Sequence, residues 1–531
     1  MNLQCVFFYR SHFILAALVF NLFLYTTSFA QRGQHPPIPR GPQYSNKEQL
    51  KNDSPSKILD TSYVESNNAV IPMPVTKQHQ VQIRGKLIKY TTTTGYIQLK
   101  NEEGEPKGNV FFVAYTADGE KKVDRPVTFA FNGGPGSSSV WVHMGFMGPK
   151  RPKLTDEGES ISPYGYEDNP ESWLDKTDLV FIDPISTGYS RAVKGENPAQ
   201  FHGFVEDVQS VADFIRLYIT KNERWASPKY IMGESYGTPR AAGLAQYLQD
   251  RYSLYFDGVI MLSSILNMQT ARFDIGNDLP YPLFLPTYTA TAWYHKQLEP
   301  ALQQDLKKTL TEVEAFAKNE YTLALMKGSD LSDAEYTTIA EKLAKYTGLN
   351  KDYVVETNLR INIHKFCKEL RRKEGLTVGR LDSRFTGRDY DDAGETFEFD
   401  PAGKSGGTFA ASFNHYIRTE LGYKNNLPYD VSGRVQPWNY NNVQNKYLNT
   451  AEYLRQAMAK NPDLKVWVIC GYYDLATPYA AAEYVFKHMN LRPEQQPKVN
   501  FTYYEAGHMV YMPKNSMLQL NKDADQFYSK K

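Results

Sequence analysis

Gly233-Glu234-Ser235-Tyr236-Gly237 lies between the apolar run Tyr230-Ile231-Met232 and the helix-forming stretch Ala241 to Gln249. A G-x-S-x-G pentapeptide between a strand and a helix reads as a nucleophile elbow: the glycines permit a sharp turn, and the serine hydroxyl stands exposed at the end of a sheet. The pentapeptide arises by chance in many chains, so its flanks carry the reading. A loop serine has no reason to follow a β-prone run and open a helix. Ser235 is therefore the candidate nucleophile of a hydrolase.

A serine hydroxyl is a weak nucleophile at neutral pH and needs a hydrogen-bonded base, which in turn needs an orienting carboxylate. In the α/β-hydrolase arrangement these follow in the order Ser, Asp or Glu, His, each just past the carboxyl end of a strand. Asp474, in Gly471-Tyr472-Tyr473-Asp474-Leu475, follows the β-prone run ending at Cys470, and His508, in Glu505-Ala506-Gly507-His508-Met509, follows the run ending at Tyr504. They are the candidate orienting group and general base. His35, His79, His143, His202, His295, His364, His415 and His488 read as surface residues. Acyl transfer also needs donors aimed at a developing oxyanion. The glycine-rich stretch Asn132-Gly133-Gly134-Pro135-Gly136-Ser137-Ser138-Ser139 follows the run Val127 to Phe131, and the backbone N–H groups of Gly134 and Tyr236 are assigned to that role.

Further out, the pattern divides the chain. Residues 1–30 read as a secretory signal, with Arg10 and His12 ahead of an apolar stretch from Phe13 to Tyr25 and a small-residue exit at Ser28-Phe29-Ala30; an uncleaved anchor is the alternative. Residues 31–66 are a polar, Pro-rich linker or arm. Val81 to Tyr90, Gly95 to Leu99 and Val110 to Tyr115 read as antiparallel strands. Then β-prone runs at Val127 to Phe131, Asp178 to Ile182, Tyr230 to Met232 and Val259 to Leu262 alternate with helical stretches. Phe204, Val208, Val211, Ala212, Ile215 and Ile219 recur as one buried helix face.

Such alternation implies an α/β fold with a mostly parallel central sheet flanked by helices. It stops after about Asn267 and resumes with a helix at Ala451 to Lys460 and strands at Val466 to Cys470 and Val499 to Tyr504. The expected organisation is a core in two parts, 67–269 and 436–531, with an inserted, mainly helical cap lobe at 270–435 that includes helices over Leu298 to Leu325 and Ala334 to Tyr346.

Of 531 residues, 60 are basic and 59 acidic, so at +1 no net field draws the chain to nucleic acid or an acidic membrane. The 38 tyrosines are expected mostly on the surface. Three cysteines, one inside the signal, give no disulfide framework, and Cys470 reads as a buried free thiol. No zinc-binding pattern or phosphate loop occurs, and the acidic run Asp389 to Gly394 fails the calcium-loop pattern at Ala393. No metal or organic cofactor is expected.

The blocks Asn132 to Ser138, Gly233 to Gly237, Gly471 to Asp474 and Gly507-His508-Met509-Val510 together resemble the serine carboxypeptidases, as does the loop Asp183 to Ser190. The resemblance spans about Val127 to Val510. It implies an α/β-hydrolase fold with an inserted cap, an exopeptidase acting through an acyl-enzyme, and peptide substrates with a free C-terminus. It further implies that Asn132, Gly133 and Glu234 hold the substrate's terminal carboxylate and that Met509 lines the leaving-group pocket.

The sequence departs from the family at Gly145-Phe146-Met147-Gly148-Pro149, where Phe146 stands in place of a second Glu that shares a proton with the first. Loss of that pair implies a less acidic pH optimum. Ser137 also replaces a usual Cys. The expected protein is a secreted or periplasmic carboxypeptidase without stable membrane association after signal cleavage. An esterase, endopeptidase or acyltransferase on the same fold is the rival, and a non-catalytic binding protein on this scaffold is the reading from another class.

Overall fold

The structure, a computed structural model, describes residues 70–529; the signal assigned to 1–30 and the arm assigned to 31–66 lie outside them. The alternating run Val81 to Tyr90 belongs to two strands rather than one. Strand β1 (Val75–Ile83) turns at Arg84 and Gly85 into β2 (Lys86–Lys100), with φ of 48° and 82° at the two turn residues. Two successive residues at positive φ match the twist of an antiparallel hairpin, and Arg84 is tied down by Asp175 and Asp525.

The sheet continues with β3 (Pro106–Ala117), β4 (Val127–Phe131), β5 (Asp178–Ile182), β6 (Lys229–Glu234), β7 (Gly258–Leu262), β8 (Lys465–Gly471) and β9 (Val499–Tyr504). Its order is β1-β2-β3-β5-β4-β6-β7-β8-β9, with the short strand Arg191–Ala192 paired to β3. Pairs up to β3–β5 are antiparallel, and every later pair is parallel. Every residue of β4, β5 and β7 is buried, as expected of parallel strands covered on both faces.

Side chains of β8 alternate between two apolar clusters, Val466, Val468 and Cys470 entering one and Trp467 and Ile469 the other, which marks the two faces of the sheet. Helix α1 (Phe204–Lys221) places the expected face, from Phe204 to Ile219, in the first cluster together with α2 (Gly237–Tyr252). Mixed strand order, parallel core and helices on both faces make this an α/β-hydrolase sheet.

Between β7 and β8, helices α3 (Pro280–Tyr294), α4 (Leu306–Phe316) and α5 (Asp333–Thr347) surround a cluster of their own that includes Phe284, Val313, Leu343 and Phe366. Helix α4 starts later than the Leu298 expected from periodicity, because the Asp305 carboxylate caps it by accepting the Lys308 N–H at 3.1 Å. Helix α6 (Ser405–Thr419) places Phe409, Phe413, Tyr416 and Ile417 against the sheet with Phe181 and Met147.

Two surface expectations are corrected. Tyr90, Tyr96, Tyr115, Tyr189, Tyr288 and Tyr416 are among many tyrosines with fully buried side chains. His143 is buried too, its Nε2 2.6 Å from the Tyr115 hydroxyl and its ring stacked on Phe181; burial pushes its pKa down to about 3, so it is neutral. Cys367 and Cys470 are buried free thiols.

Candidate active site

The register brings four loops to one end of the sheet. Phe131, the last residue of β4, pairs with Gly233; Glu234 pairs with Leu262, the last residue of β7; and Gly471 at the end of β8 pairs with Tyr504 at the end of β9. Each candidate residue follows one of these ends. Ser235 occupies the turn between β6 and α2 at φ 59°, its N–H donated to the Leu262 carbonyl at 3.0 Å. A serine held at positive φ is costly, and such conformations persist where the surrounding fold enforces them.

The glycine-rich loop after β4, the candidate oxyanion loop, closes on this elbow. A Cβ on Gly133 would lie 2.3 Å from the Tyr236 nitrogen, so only glycine lets the two segments approach. Gly134 sits at φ 102°. Among the described residues, neither the Gly134 nor the Tyr236 N–H has a hydrogen-bond partner, and both residues line the cleft. Arg240 binds the two segments together: fully buried, it pairs with Asp207 at 2.7 Å and donates to the Asn132 carbonyl at 2.6 Å. Trp438 fixes the Tyr236 ring by donating to its hydroxyl at 3.0 Å.

Asp474 and His508 meet directly, with imidazole Nδ1 2.8 Å from Asp474 Oδ2. Asp474 also accepts the Thr477 hydroxyl at 2.7 Å and the N–H groups of Ala476 and Thr477 at 2.8 and 3.0 Å. Burial alone would raise its pKa, but the His508 charge and these donors hold it below the ordinary aspartate value. Burial likewise opposes charge on His508, and Asp474 overcomes it, so the imidazole pKa is raised. Ser235 and His508 line the same cleft of about 1220 Å³; no hydrogen bond joins the Ser235 hydroxyl to the imidazole here, as is common before substrate arrives.

Asn132, Gly133, Glu234 and Met509 line the cleft as well. Glu234 is buried beneath it and accepts the Tyr511 hydroxyl at 2.9 Å. Burial pushes its pKa up to about 7 against the His508 charge, the Tyr511 hydrogen bond and the polar side chain of Asn132. Phe146 offers the carboxyl no proton to share. It is fully buried, stacked on the Tyr511 ring at 5.1 Å and set edge-on to Trp173 at 4.7 Å.

Several supporting residues escaped sequence reasoning. Tyr511 and Thr477 act on the two carboxyls. The segment 380–384 braces the catalytic loops: Leu381 accepts the His508 N–H at 2.6 Å, Asp382 accepts the Gly507 N–H at 3.2 Å, and Ser383 donates its N–H to the Tyr473 carbonyl at 3.0 Å. Thr477, three residues after an Asp, was the one with a local signal, since a short hydroxyl side chain there readily bonds back to the carboxylate. Among the described residues no cluster of His, Cys, Asp and Glu could hold a metal ion, and no helix is long and apolar enough to cross a membrane.

The sheet and its strand-end loops place the chain in the α/β-hydrolase class. Within that class a model of the serine carboxypeptidases matches residues 83–520, and the chain belongs to that family. It is 34% identical over 154 residues to the pheromone-processing carboxypeptidase KEX1 of Saccharomyces cerevisiae (strain JAY291), a match covering 27% of this chain and 20% of that one. Carboxypeptidase Y of Saccharomyces cerevisiae (strain ATCC 204508 / S288c) is 26% identical over 230 residues, covering 42% of this chain and 38% of that one. The crystal structure of Kex1(delta)p, a prohormone-processing carboxypeptidase from the same species, aligns with 82% of this chain and 91% of its own at 16% identity and a TM-score of 0.49.

Proposed function

We propose that this chain is a serine carboxypeptidase that releases C-terminal residues from peptides through an acyl-enzyme. The observation that carries this reading is the Asp474–His508 pair opening onto the cleft that Ser235 enters from its elbow. Asp474 holds the imidazole with Nδ1–H inward, leaving Nε2 to take the Ser235 proton as Oγ attacks the scissile carbonyl. The oxyanion that forms accepts hydrogen bonds from the Gly134 and Tyr236 N–H groups, which have no other partner among the described residues. His508 then protonates the departing amine, and water repeats the sequence to free the enzyme.

Asn132, Gly133 and Glu234 receive the terminal carboxylate, and Met509 lines the pocket of the departing residue. A carboxylate can hydrogen-bond to Glu234 only when Glu234 is protonated, and at a pKa of about 7 that form persists near neutrality. His508, with its pKa raised, becomes a free base only above the ordinary histidine value. The kcat/KM profile is therefore a bell near neutral pH, whose limbs belong to the coupled groups; a maximum below about pH 5 would refute this assignment.

No metal or organic cofactor enters these steps, and nucleic acid has no part in them. The segment 270–435 is proposed as the lobe that roofs the cleft between the core parts 67–269 and 436–531. Secretion or export to a periplasm rests on the N-terminal stretch, and an exported form beginning near Gln31 is its test.

A fluorophosphonate probe should label the protein at Ser235, and Ser235→Ala should abolish both labelling and turnover. Peptides as free acids, amides and esters separate this function from its rivals: a carboxypeptidase favours the free acid, whereas equal use of amides and esters points to an esterase or acyltransferase.

A further inference from the structure

Among the described residues, Arg380 is a cation in the cleft that forms no ion pair. It lies on the segment that braces the catalytic loops, its carbonyl accepting the Leu475 N–H at 3.1 Å, one residue before Leu381 accepts the His508 N–H. Asp400 fixes this segment from the other side but is fully engaged with backbone. It accepts the N–H groups of Arg380 at 3.2 Å, Leu381 at 2.9 Å and Ala402 at 3.0 Å. Among the described residues, the Arg380 guanidinium makes no hydrogen bond or ion pair. Other arginines nearby in sequence differ: Arg360 pairs with Asp278, Arg371 with Glu374, Arg372 with Glu369 and Arg384 with Asp382.

Arg380 is half-buried and lines the cleft with Ser235 and His508, close enough to the imidazole to oppose its protonation. Of the other charged groups there, Arg272 at the exposed rim is also without an ion pair among the described residues, Asp274 accepts the Tyr447 hydroxyl at 3.0 Å, and Glu234 is bound by Tyr511. The charge left uncompensated is thus positive. A guanidinium partly withdrawn from water favours a partner, and its planar fork fits a carboxylate.

Building on the carboxypeptidase reading, we propose that the cleft selects peptides bearing an acidic side chain beside the scissile bond, whose carboxylate pairs with Arg380. The Asn132, Gly133 and Glu234 group already receives the terminal carboxylate, so Arg380 provides for a second anion. Its backbone is bonded to the Asp474 loop and to the residue that holds the His508 loop, so the cation is set in place before substrate enters.

The test uses N-blocked dipeptides in matched pairs, Glu against Gln, at the penultimate and at the terminal position, each as free acid and amide. The wild-type protein should prefer Glu on the order of tenfold in kcat/KM at one of these positions, and added salt should reduce the preference. Arg380→Gln should bring the Glu/Gln ratio to unity, Arg380→Lys should retain part of it, and Arg380→Glu should invert selection toward Lys. A wild-type ratio near unity at both positions, or a preference that survives Arg380→Gln, overturns the proposal. So does a uniform loss on all free acids with the ratio intact, which would assign Arg380 to the terminal carboxylate. Turnover of the Gln peptides keeps the carboxypeptidase reading standing whatever the ratio, whereas failure of the wild type to cleave any pair defeats both.

Discussion

Asp474 and Glu234 are both buried carboxyls beside one imidazole, yet the first is held below the ordinary aspartate pKa while the second is pushed up to about 7. Burial acts on both in the same direction, so the difference lies in their partners. Asp474 has the His508 Nδ1, a threonine hydroxyl and two backbone N–H groups; Glu234 has the Tyr511 hydroxyl, the polar Asn132 and an imidazole that acts through its charge without a hydrogen bond, and it also feels the charge of Asp474. Donor number and the nearest cation decide which carboxyl is an anion and which can be an acid. In the proposed function, one fold thereby obtains an orienting anion for the base and a neutral carboxyl for the substrate's terminus.

The largest expected break in this comparison is Asp474→Asn. The amide cannot stabilise the imidazolium or hold the correct tautomer, and kcat should fall about 10⁴-fold with KM little changed. A loss within tenfold would mean that the anion beneath His508 is not the orienting group. Phe146→Ala tests the other side through stability. Removing a fully buried ring that stacks on Tyr511 and meets Trp173 edge-on should cost about 3–5 kcal/mol in denaturant unfolding, and a cost below about 1 kcal/mol would show that Phe146 does not support the Glu234 pocket.

Glu234→Gln is smaller and more diagnostic. The amide is neutral at every pH, so the alkaline limb of kcat/KM on free-acid peptides, about tenfold per pH unit above the Glu234 pKa in the wild type, should vanish. Amidated substrates should respond little.

Stability provides the matching sign. The folded pKa of Glu234 is raised from the ordinary 4.5 to about 7, so between these values the folded chain keeps a proton that the unfolded chain has released, and stability falls as pH rises through that window. Asp474 does the reverse: its contribution is present above the ordinary aspartate pKa and is lost as pH falls through its depressed value. Glu234→Gln should flatten the first trend and leave the second, measured as denaturation midpoints against pH.

The legibility of the two carboxyls differed in the same way. Ser235, Asp474 and His508 each stand just past an apolar run, and strand-then-turn spacing is written in consecutive residues, so the order of the group and the parallel sheet beneath it could be read directly. The partners that set the Glu234 pocket could not. Tyr511 lies 277 residues from Glu234, and only the fold brings its hydroxyl to that carboxyl. Phe146 could be recognised as the absence of an acid, but its stacking on Tyr511 depends on helix and loop packing. Asp382 and Leu381 sit in a segment whose sequence looked like part of the helical lobe, yet their bonds go to the catalytic loops. His143 was misplaced for a related reason: a lone histidine has no periodicity, and its burial is decided by Tyr115 and Phe181 on neighbouring strands. At Arg84 and Gly85 the alternation ran on across a turn because an arginine at positive φ gives no turn signal of its own.

Tyr511→Phe is the subtlest test and the one that isolates the comparison. Its hydroxyl donates to Glu234 Oε2, and a donor to a carboxylate favours the charged form, so losing it removes one of the influences holding the Glu234 pKa down. The ring itself stays, as does its stacking on Phe146, and the change therefore acts on proton affinity more than on packing. The alkaline limb on free-acid peptides should move to higher pH, with the shift carried by KM, because the altered group touches the substrate's terminus and not the scissile bond. Asp474 keeps all its own donors, so the acid limb set by His508 should stay near its wild-type position. A downward shift of the alkaline limb, or an equal displacement of both limbs, would show that the two carboxyls titrate as one unit and that their separate environments do not divide the work between them.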